Sequence, residues 1–207
     1  MPGPPATASP SADPRRQTIL RHARRYFMQE GYAATRIEPV AREAGVSTAT
    51  LYTLFAGKAE LFAEVIGEAA DDFAAQMAKV RAADGCARDR LTCFALAYAG
   101  FMADPFIRSV FRLVMAERPR FRDVAMQFFE RGRSDFGGPL IEALKTLTQR
   151  GELRIDHPSW AAGQLMGMIE HPVFFMPLVT GDEVMPVRAL PQIAADAVET
   201  FLARYGA

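Results

Sequence analysis

Apolar residues recur every three or four positions along almost the whole chain, and the alternation typical of β-strands is nearly absent. This spacing places the apolar side chains on one face of an α-helix. Of the 207 residues, 50% are apolar, which is enough for a sizeable core in one or two domains. The pattern therefore predicts an all-α protein of about nine helices.

Start and stop signals divide these helices into three segments behind a short leader. Residues 1–13 are rich in Pro, Ala and Ser, with neither a basic start nor an apolar run, and we expect a disordered leader that is not a targeting signal. Residues 14–57 carry short helices separated by glycine, and residues 58–85 begin with one longer connecting helix. Residues 86–207 carry longer, more hydrophobic helices and are expected to form a second domain.

Individual residues sharpen some of these boundaries. Asp13 followed by Pro14 is a cap and first-turn pair that should begin the first helix. Thr35 and Glu38 have the spacing of a capping box and predict the start of the second helix. The glycines and proline at 137–139 should kink or split a long helix of the second domain.

Charge is balanced overall but not along the chain. The protein has 24 Lys and Arg against 24 Asp and Glu, so the whole chain gives no sign of a polyanionic partner. Residues 1–60 nevertheless carry 8 basic against 5 acidic side chains, and the remainder is acidic by the same difference. A modest positive bias therefore lies in the segment of short helices.

The cysteines indicate a reducing compartment. Cys86 and Cys93 stand seven positions apart, on one face of a helix, without the spacing of a metal site. We expect both to be buried structural thiols, with a redox switch as the alternative.

One apolar run, residues 160–179, is almost long enough to cross a membrane. Gln164 and the Glu170-His171-Pro172 triplet interrupt it near its middle, which a membrane span rarely tolerates. We interpret it as a buried interface helix and expect a soluble, cytoplasmic protein with no membrane partner.

The stretch GVSTATLYTLFAGKAELF, residues 45–62, indicates a specific function. Gly45 allows a tight turn between two short helices, and Leu51 and Phe55 point inward from the second of them. Short hydroxyl and apolar side chains then remain on the outer face, where they are poor solubilising groups but can lie against base edges in a major groove. The stretch predicts a helix-turn-helix that binds DNA. Its outward residues are Thr48, Ala49, Tyr52 and Thr53.

Lys58 supports the same interpretation. A cation at a helix start opposes the helix dipole, whereas a phosphate there would bind both the ammonium and the free backbone N–H groups. Arg36 and the arginines of the first helix could extend this contact along the DNA backbone. Those arginines are Arg15, Arg16, Arg21, Arg24 and Arg25.

The run TRIEPVAREAGVSTATLYTLFAGKAELF, residues 35–62, closely resembles the DNA-binding domain of the TetR/AcrR family of bacterial transcriptional regulators. The runs FRLVMAERPRFRDVAMQFFERG and GELRIDHPSWAAGQLMGMI resemble the regulatory region of AefR-type members. The resemblance implies an N-terminal three-helix DNA-binding domain, a larger helical domain for ligand binding and dimerisation, and a homodimer on a palindromic DNA operator. Together with the outward face, it gives the expected DNA contacts as Thr35, Arg36, Ser47, Thr48, Ala49, Thr50, Tyr52, Thr53 and Lys58.

The second domain is expected to bind a small-molecule effector, because methionine adapts to irregular volumes and many Met and Phe side chains occur there. The candidate pocket residues are Met102, Phe106, Met115, Phe129, Met166, His171, Phe174 and Phe175. Three roles remain possible for His171: a buried histidine with satisfied hydrogen bonds, a polar anchor of the pocket, or a contact across the dimer. The candidate interface residues are Trp160, Leu165, Ile169, Val173, Ile193 and Val198.

We therefore expect a ligand-responsive repressor. The chain shows no paired histidines for a metal, no nucleophile–base arrangement and no phosphate-binding glycine loop, so we expect neither an enzyme nor a cofactor. Two alternatives stay open: a helical small-molecule binding protein or enzyme that no longer uses its DNA-binding domain, and an activator of the same family.

Overall fold

The computed structural model describes residues 13–78 and 85–207, with side chains described up to residue 71 in the first range. Of the expected leader, residues 1–13, only the last residue lies within these ranges. Residues 79–84 of the expected connecting segment also lie outside them. The described residues are helical apart from turns and a single isolated β-bridge, between Leu153 and Gly206, so the all-α prediction is confirmed. No helix in these two ranges has the length and hydrophobicity that a membrane crossing requires.

The chain divides into two compact units, residues 1–68 and 69–207. The first contains α1 (Pro14–Ala34), α2 (Ile37–Glu43), α3 (Thr48–Leu54) and the beginning of α4 (Lys58–Ala78). The second contains the end of α4, then α5 (Ala87–Met102), α6 (Pro105–Glu117), α7 (Arg122–Gly132), α8 (Gly138–Gln149), α9 (Pro158–Glu170), α10 (Met176–Thr180) and α11 (Leu190–Tyr205).

Two π-helical turns join helices into longer ones. Arg133–Gly137 connects α7 to α8, and His171–Phe175 connects α9 to α10, so the described chain forms nine continuous helices, as expected. The first π turn ends at Gly137, where the sequence predicted a kink. A π turn inserts one extra residue and changes the direction in which the following side chains point.

Local signals account for most helix starts. Asp13 accepts a hydrogen bond from the backbone N–H of Arg15, and Asp104 accepts one from Phe106 N–H at 2.8 Å. Thr35 behaves differently from the prediction: α2 is capped by Arg36 without a side-chain bond, and Thr35 Oγ1 instead donates to the carbonyl of Gly31 at 2.7 Å. The capping-box prediction was therefore wrong, because the hydroxyl ends the preceding helix.

An aromatic cluster forms the core of the first unit. Phe27 and Phe62 meet edge to face with ring centroids 5.4 Å apart, and Tyr32 packs on Phe62 at 5.2 Å. The surrounding aliphatic side chains come from all four helices, since each has one buried face. They include Ile19, Leu20, Val40, Leu51, Leu61 and Val65.

The second unit is built around α5, which packs on both α9 and α11. Arg108 is 1% exposed within it and joins α6 to the loop after α10 through an ion pair with Asp182. Cys86 and Cys93 are both exposed, so the prediction of buried thiols was wrong. Their spacing places both near one helix face but does not show whether that face points inward or outward.

Candidate functional site

The turn between α2 and α3 is a tight helix ending of the Schellman type. Gly45 has φ = +70°, the left-handed conformation that glycine adopts without steric cost. Its N–H donates to Arg42 O at 3.1 Å, and the N–H of Val46 donates to Ala41 O at 3.0 Å. Ala41 is buried, and this small side chain lets α2 and α3 pack closely. The turn therefore sets the direction in which α3 leaves α2.

α3 presents one face to the core and one to solvent, as expected. Ser47 caps the helix by accepting from Thr50 N–H at 3.0 Å. Leu51 and Phe55 are completely or almost completely buried, which fixes the rotation of the helix about its axis. On the opposite side of the helix, Thr48, Ala49, Tyr52 and Thr53 are exposed.

The exposed face of α3 is uncharged and partly satisfied by its own backbone. Thr53 Oγ1 donates to Ala49 O at 2.9 Å, and the hydroxyls of Ser47 and Thr50 lie 2.8 Å apart. Tyr52 is 52% exposed, and within residues 13–78 and 85–207 its hydroxyl has no protein partner. This face offers methyl groups, an aromatic ring and hydroxyls, which are groups that can contact base edges and phosphates.

Thr35 and Arg36 differ in accessibility. Thr35 is 2% exposed and its hydroxyl is bonded to Gly31, so its side chain is not available to a ligand. The expectation that Thr35 meets DNA was therefore wrong for the side chain. Arg36 is exposed at the start of α2.

Lys58 begins α4 as expected, but its ammonium already has protein contacts. Its Nζ donates to Ala33 O at 3.1 Å and lies 4.6 Å from the ring centroid of Tyr32. These contacts place the cation beside the carbonyl end of α1, which offsets its unfavourable position at the start of α4.

Several arginines of α1 are engaged within the first unit. Arg16 pairs with Glu64 and lies over the ring of Phe55, with 4.3 Å between the guanidinium carbon and the ring centroid. Burial raises the pKa of Glu64 despite this arginine, so desolvation outweighs the pairing. Arg25 pairs with Glu43. Part of the positive charge seen in the sequence of this segment is therefore paired with carboxylates of the same unit.

A large cavity lies within the second unit. Its volume is about 690 Å³, within the range of small-molecule sites. Its walls are mostly apolar and come from α4 to α9 and both π turns. Aromatic and methionine side chains make up most of them: Tyr98, Phe101, Met102, Phe111, Met115, Met126, Phe128, Phe129, Phe136, Met166 and Phe174.

The cavity also contains a few polar groups. Tyr98 is 2% exposed, and its hydroxyl donates a hydrogen bond to Glu170. Burial and the negative charge of Glu170 raise the pKa of Tyr98 well above its ordinary value, so the phenol holds its proton and is the donor. Arg118, Arg133 and Asp135 line other parts of the wall.

The structure brings together five of the eight candidate pocket residues: Met102, Met115, Phe129, Met166 and Phe174. Phe106, His171 and Phe175 lie outside the cavity wall. His171 is exposed and stacks on Phe175 with 5.6 Å between ring centroids, so the expectation that it is buried or anchors the pocket was wrong. Tyr98 and Glu170 were missed, because helical spacing does not show which polar residues of different helices meet.

The candidate dimer residues divide sharply by exposure. Trp160 is 69% exposed, whereas Leu165, Ile169, Val173 and Val198 are completely or almost completely buried in the protomer. A side chain with almost no accessible surface cannot contact a partner, so the prediction was wrong for Leu165, Ile169, Val173 and Val198. Ile193 keeps 8% of its surface and lines a shallow surface pocket on α11, so its place in the interface stays a prediction. On the continuous helix formed by α9, the second π turn and α10, the exposed large apolar residues are Trp160, Phe175 and Val179. Gly163 and Gly167 of this helix are also exposed.

Family models match both parts of the chain. Residues 19–65 match bacterial regulatory proteins of the tetR family. Residues 89–207 match the C-terminal domain of AefR-like transcriptional repressors. The chain is also 45% identical over 51 residues to YhgD of Bacillus subtilis, an uncharacterized HTH-type transcriptional regulator, and this match spans 27% of YhgD, about a quarter of its length.

Solved structures share the whole fold. A TetR-family transcriptional regulator of Mesorhizobium loti superimposes with a TM-score of 0.78 at 24% identity, covering 97% of this chain and 100% of that one. FadR of Bacillus subtilis in complex with stearoyl-CoA gives 0.67 at 18% identity, covering 90% and 97%. At these identities the likeness concerns the fold alone. The two family matches go further: the chain belongs to the TetR family of DNA-binding bacterial transcriptional regulators and carries an AefR-like C-terminal domain.

Proposed function

We propose that the protein is a ligand-responsive repressor that binds a palindromic operator as a homodimer and releases it when a small, largely apolar effector occupies the cavity of the second unit. The observation that carries the DNA-binding part is the exposed, uncharged face of α3, held outward by buried Leu51 and Phe55. Such a face lies well against base edges. The protein would act in the cytoplasm, where its DNA target lies.

The DNA contacts follow from exposure and chemistry. Thr48, Ala49 and Thr53 would face the bases, and the hydroxyl of Tyr52 would reach a phosphate. Ser47, Thr50, Lys58 and Arg36 lie at the edges of this face and complete the proposed contact set. We leave out Thr35, because its side chain is buried.

A homodimer has a physical reason. α3 has only seven residues, about two turns, and one such helix makes too few base contacts for specific binding. Two copies about 34 Å apart would occupy successive major grooves of a symmetric site. We propose that the copies associate through the exposed face of the α9–α10 helix around Trp160, Phe175 and Val179.

The cavity supports the effector part of the proposal. FadR, which shares the fold, was crystallised with stearoyl-CoA. An effector that favours one spacing of the two α3 helices would weaken operator binding by at most its difference in affinity for the two states, typically about 1–3 kcal/mol. An apolar cavity of about 690 Å³ has room for such a ligand.

Footprinting the full-length protein on the DNA upstream of its own gene tests the proposal. We expect two protected half-sites of inverted sequence, with centres about one helical turn apart. Ligand binding by the cavity without retention on any upstream DNA would instead support a helical binding protein or enzyme that no longer uses its DNA-binding domain. A reporter that rises when the gene is present would support an activator.

A further inference from the structure

The effector cavity holds a carboxylate among aromatic rings. Glu170 lines the wall at the end of α9 and contacts Tyr98, and the rings of Phe101 and Phe136 line the same cavity. Tyr98 and Phe136 have ring centroids 5.8 Å apart, and Phe101 and Phe136 4.7 Å. Glu170 is half-buried, and a polar group in a largely apolar wall favours a ligand that uses its hydrogen-bonding capacity.

Glu170 uses only part of that capacity. Tyr98 donates to Oε1, and across residues 13–78 and 85–207 Glu170 has no other hydrogen bond and no ion pair. A carboxylate has about four lone-pair sites, so one phenol leaves most of them unoccupied by protein groups. The cavity wall therefore offers a carboxyl group as a hydrogen-bond acceptor.

Both π turns contribute to this wall. Arg133–Gly137 supplies Phe136, and His171–Phe175 begins directly after Glu170 and supplies Phe174. Each π turn redirects the side chains around it, and such turns often occur where a helix forms a binding site. Two of the aromatic rings in the wall, those of Phe136 and Phe174, are thus supplied by two separate departures from regular helix.

We propose that the effector is an aromatic compound that donates a hydrogen bond, from a phenol hydroxyl or a protonated amine, to the carboxylate of Glu170. Its rings would pack against Phe101, Phe136 and Phe174. This inference rests on the proposed effector role of the cavity and adds the class of ligand. Tyr98 acts as a positioning residue, because its hydrogen bond holds Glu170 in place.

Matched biphenyl probes separate the donor from the apolar contact. Calorimetric titration of the full-length protein would compare para-phenylphenol with para-methoxybiphenyl, which has nearly the same shape but no donor. Hydrogen bonds to charged groups contribute about 1.5–3 kcal/mol, so we expect the phenol to bind at least about tenfold more tightly. Equal affinity for the two probes, or no binding of either, would overturn the inference.

Two further probes distinguish the possible donors. The primary amine para-aminomethylbiphenyl carries a donor and a charge, whereas its trimethylammonium analogue carries only the charge. Tighter binding of the primary amine than of the quaternary ammonium supports donation to Glu170. If the two cations bind with equal affinity, and both bind more tightly than the neutral ether, cation–π attraction alone accounts for the binding and the proposal is contradicted.

Variants assign the preference to Glu170. The ratio of the affinity for the phenol probe to the affinity for the methoxy ether is called here the phenol-to-ether ratio. Glu170→Gln should reduce it to a few-fold, because a neutral acceptor forms a weaker bond. The double variant Tyr98→Phe/Glu170→Leu removes both partners together, leaves neither one buried alone, and should abolish the ratio. Met185→Leu is the control, because this exposed methionine lies outside the cavity wall and its substitution should leave the ratio unchanged.

A phenol-to-ether ratio that survives in the double variant would contradict the proposal. The footprinting experiment is independent of these titrations. A protein that protects its operator but shows no donor preference would keep the regulatory function and lose the ligand class.

Discussion

Asp182→Asn should destabilise the second unit, because it removes the charged partner of a buried guanidinium. Arg108 Nε donates to Asp182 Oδ1 at 2.6 Å, and Arg108 Nη1 donates to Ala103 O at 2.6 Å. Asp182 also receives a hydrogen bond from Arg112 at 3.1 Å. Asparagine keeps the size of the side chain and tolerates the left-handed backbone at this position, φ = +67°. The variant therefore tests the charge with little backbone strain.

The size of the effect follows from the unequal burial of the pair. Breaking a buried ion pair by removing one partner costs about 3–5 kcal/mol. Arg108 is 1% exposed, but the side chain of Asp182 is 34% exposed, so water can replace part of what is lost. We expect a loss of about 2–3 kcal/mol, or roughly 4–12 °C in Tm for a chain of this length.

The assay is urea unfolding at pH 7, with Arg108→Met/Asp182→Asn as the matched control. The double variant should be more stable than Asp182→Asn alone, because no unpaired buried charge remains. Burial alone would raise the pKa of Asp182, but the hydrogen bonds and charges of Arg108 and Arg112 lower it below its ordinary value. The stability that the pair provides is therefore present above the ordinary pKa and is lost as the pH falls through the lower native one. A change below about 0.5 kcal/mol at pH 7, or a double variant less stable than the single one, would refute this reasoning.

Three further perturbations test other parts of the structure. Gly45→Ala should cost about 1–2 kcal/mol of unfolding free energy, because alanine is strained at the left-handed turn although its Cβ would meet no neighbour; a melt unchanged from the parent would contradict this. Trp160→Glu should convert dimers to monomers in light scattering, whereas Val187→Glu, at another exposed apolar residue, should not; equal behaviour of the two would exclude the proposed interface. Burial raises the native pKa of Glu64 despite Arg16, so the unfolding free energy of the parent minus that of Glu64→Gln should fall as the pH rises from about 4 to 7. Chemical denaturation measures this difference, and an increase with pH would contradict the prediction.

Local patterns correctly predicted where α3 begins and which of its faces is buried. The spacing of Leu51 and Phe55 determines which side of α3 is buried, and one cap and one glycine determine where the helix begins. These are properties of a few consecutive residues, so they can be inferred from the sequence. Thr35 was misread because a hydroxyl between two helices can bond either to the preceding carbonyl or to the following N–H.

The second unit could be predicted only in part, because its helices are apolar on more than one face. In the helix from Pro158 onward, periodicity identifies Leu165 and Ile169 as apolar but does not say whether they meet their own core or a partner. The packing of α5 and α11 answers this by burying them. The pair of Tyr98 and Glu170 joins residues 72 positions apart, a distance at which helical spacing carries no information.

The most direct test of the central claim is fluorescence anisotropy of the full-length protein on a duplex that contains its upstream operator, measured over a series of salt concentrations. Tyr52→Phe should weaken binding while leaving the melting curve close to that of the parent. Lys58→Ala should also weaken binding without unfolding the protein, although it loses the bond to Ala33 O and the contact with the Tyr32 ring. Lys145→Ala, at an exposed cation of the second unit, should bind like the parent. Loss of Lys58 should also reduce the slope of log affinity against log salt by about 0.9 per subunit, because one phosphate contact is lost. Parent-like affinity and slope in both variants would contradict the assignment of α3 and the start of α4 to the DNA interface.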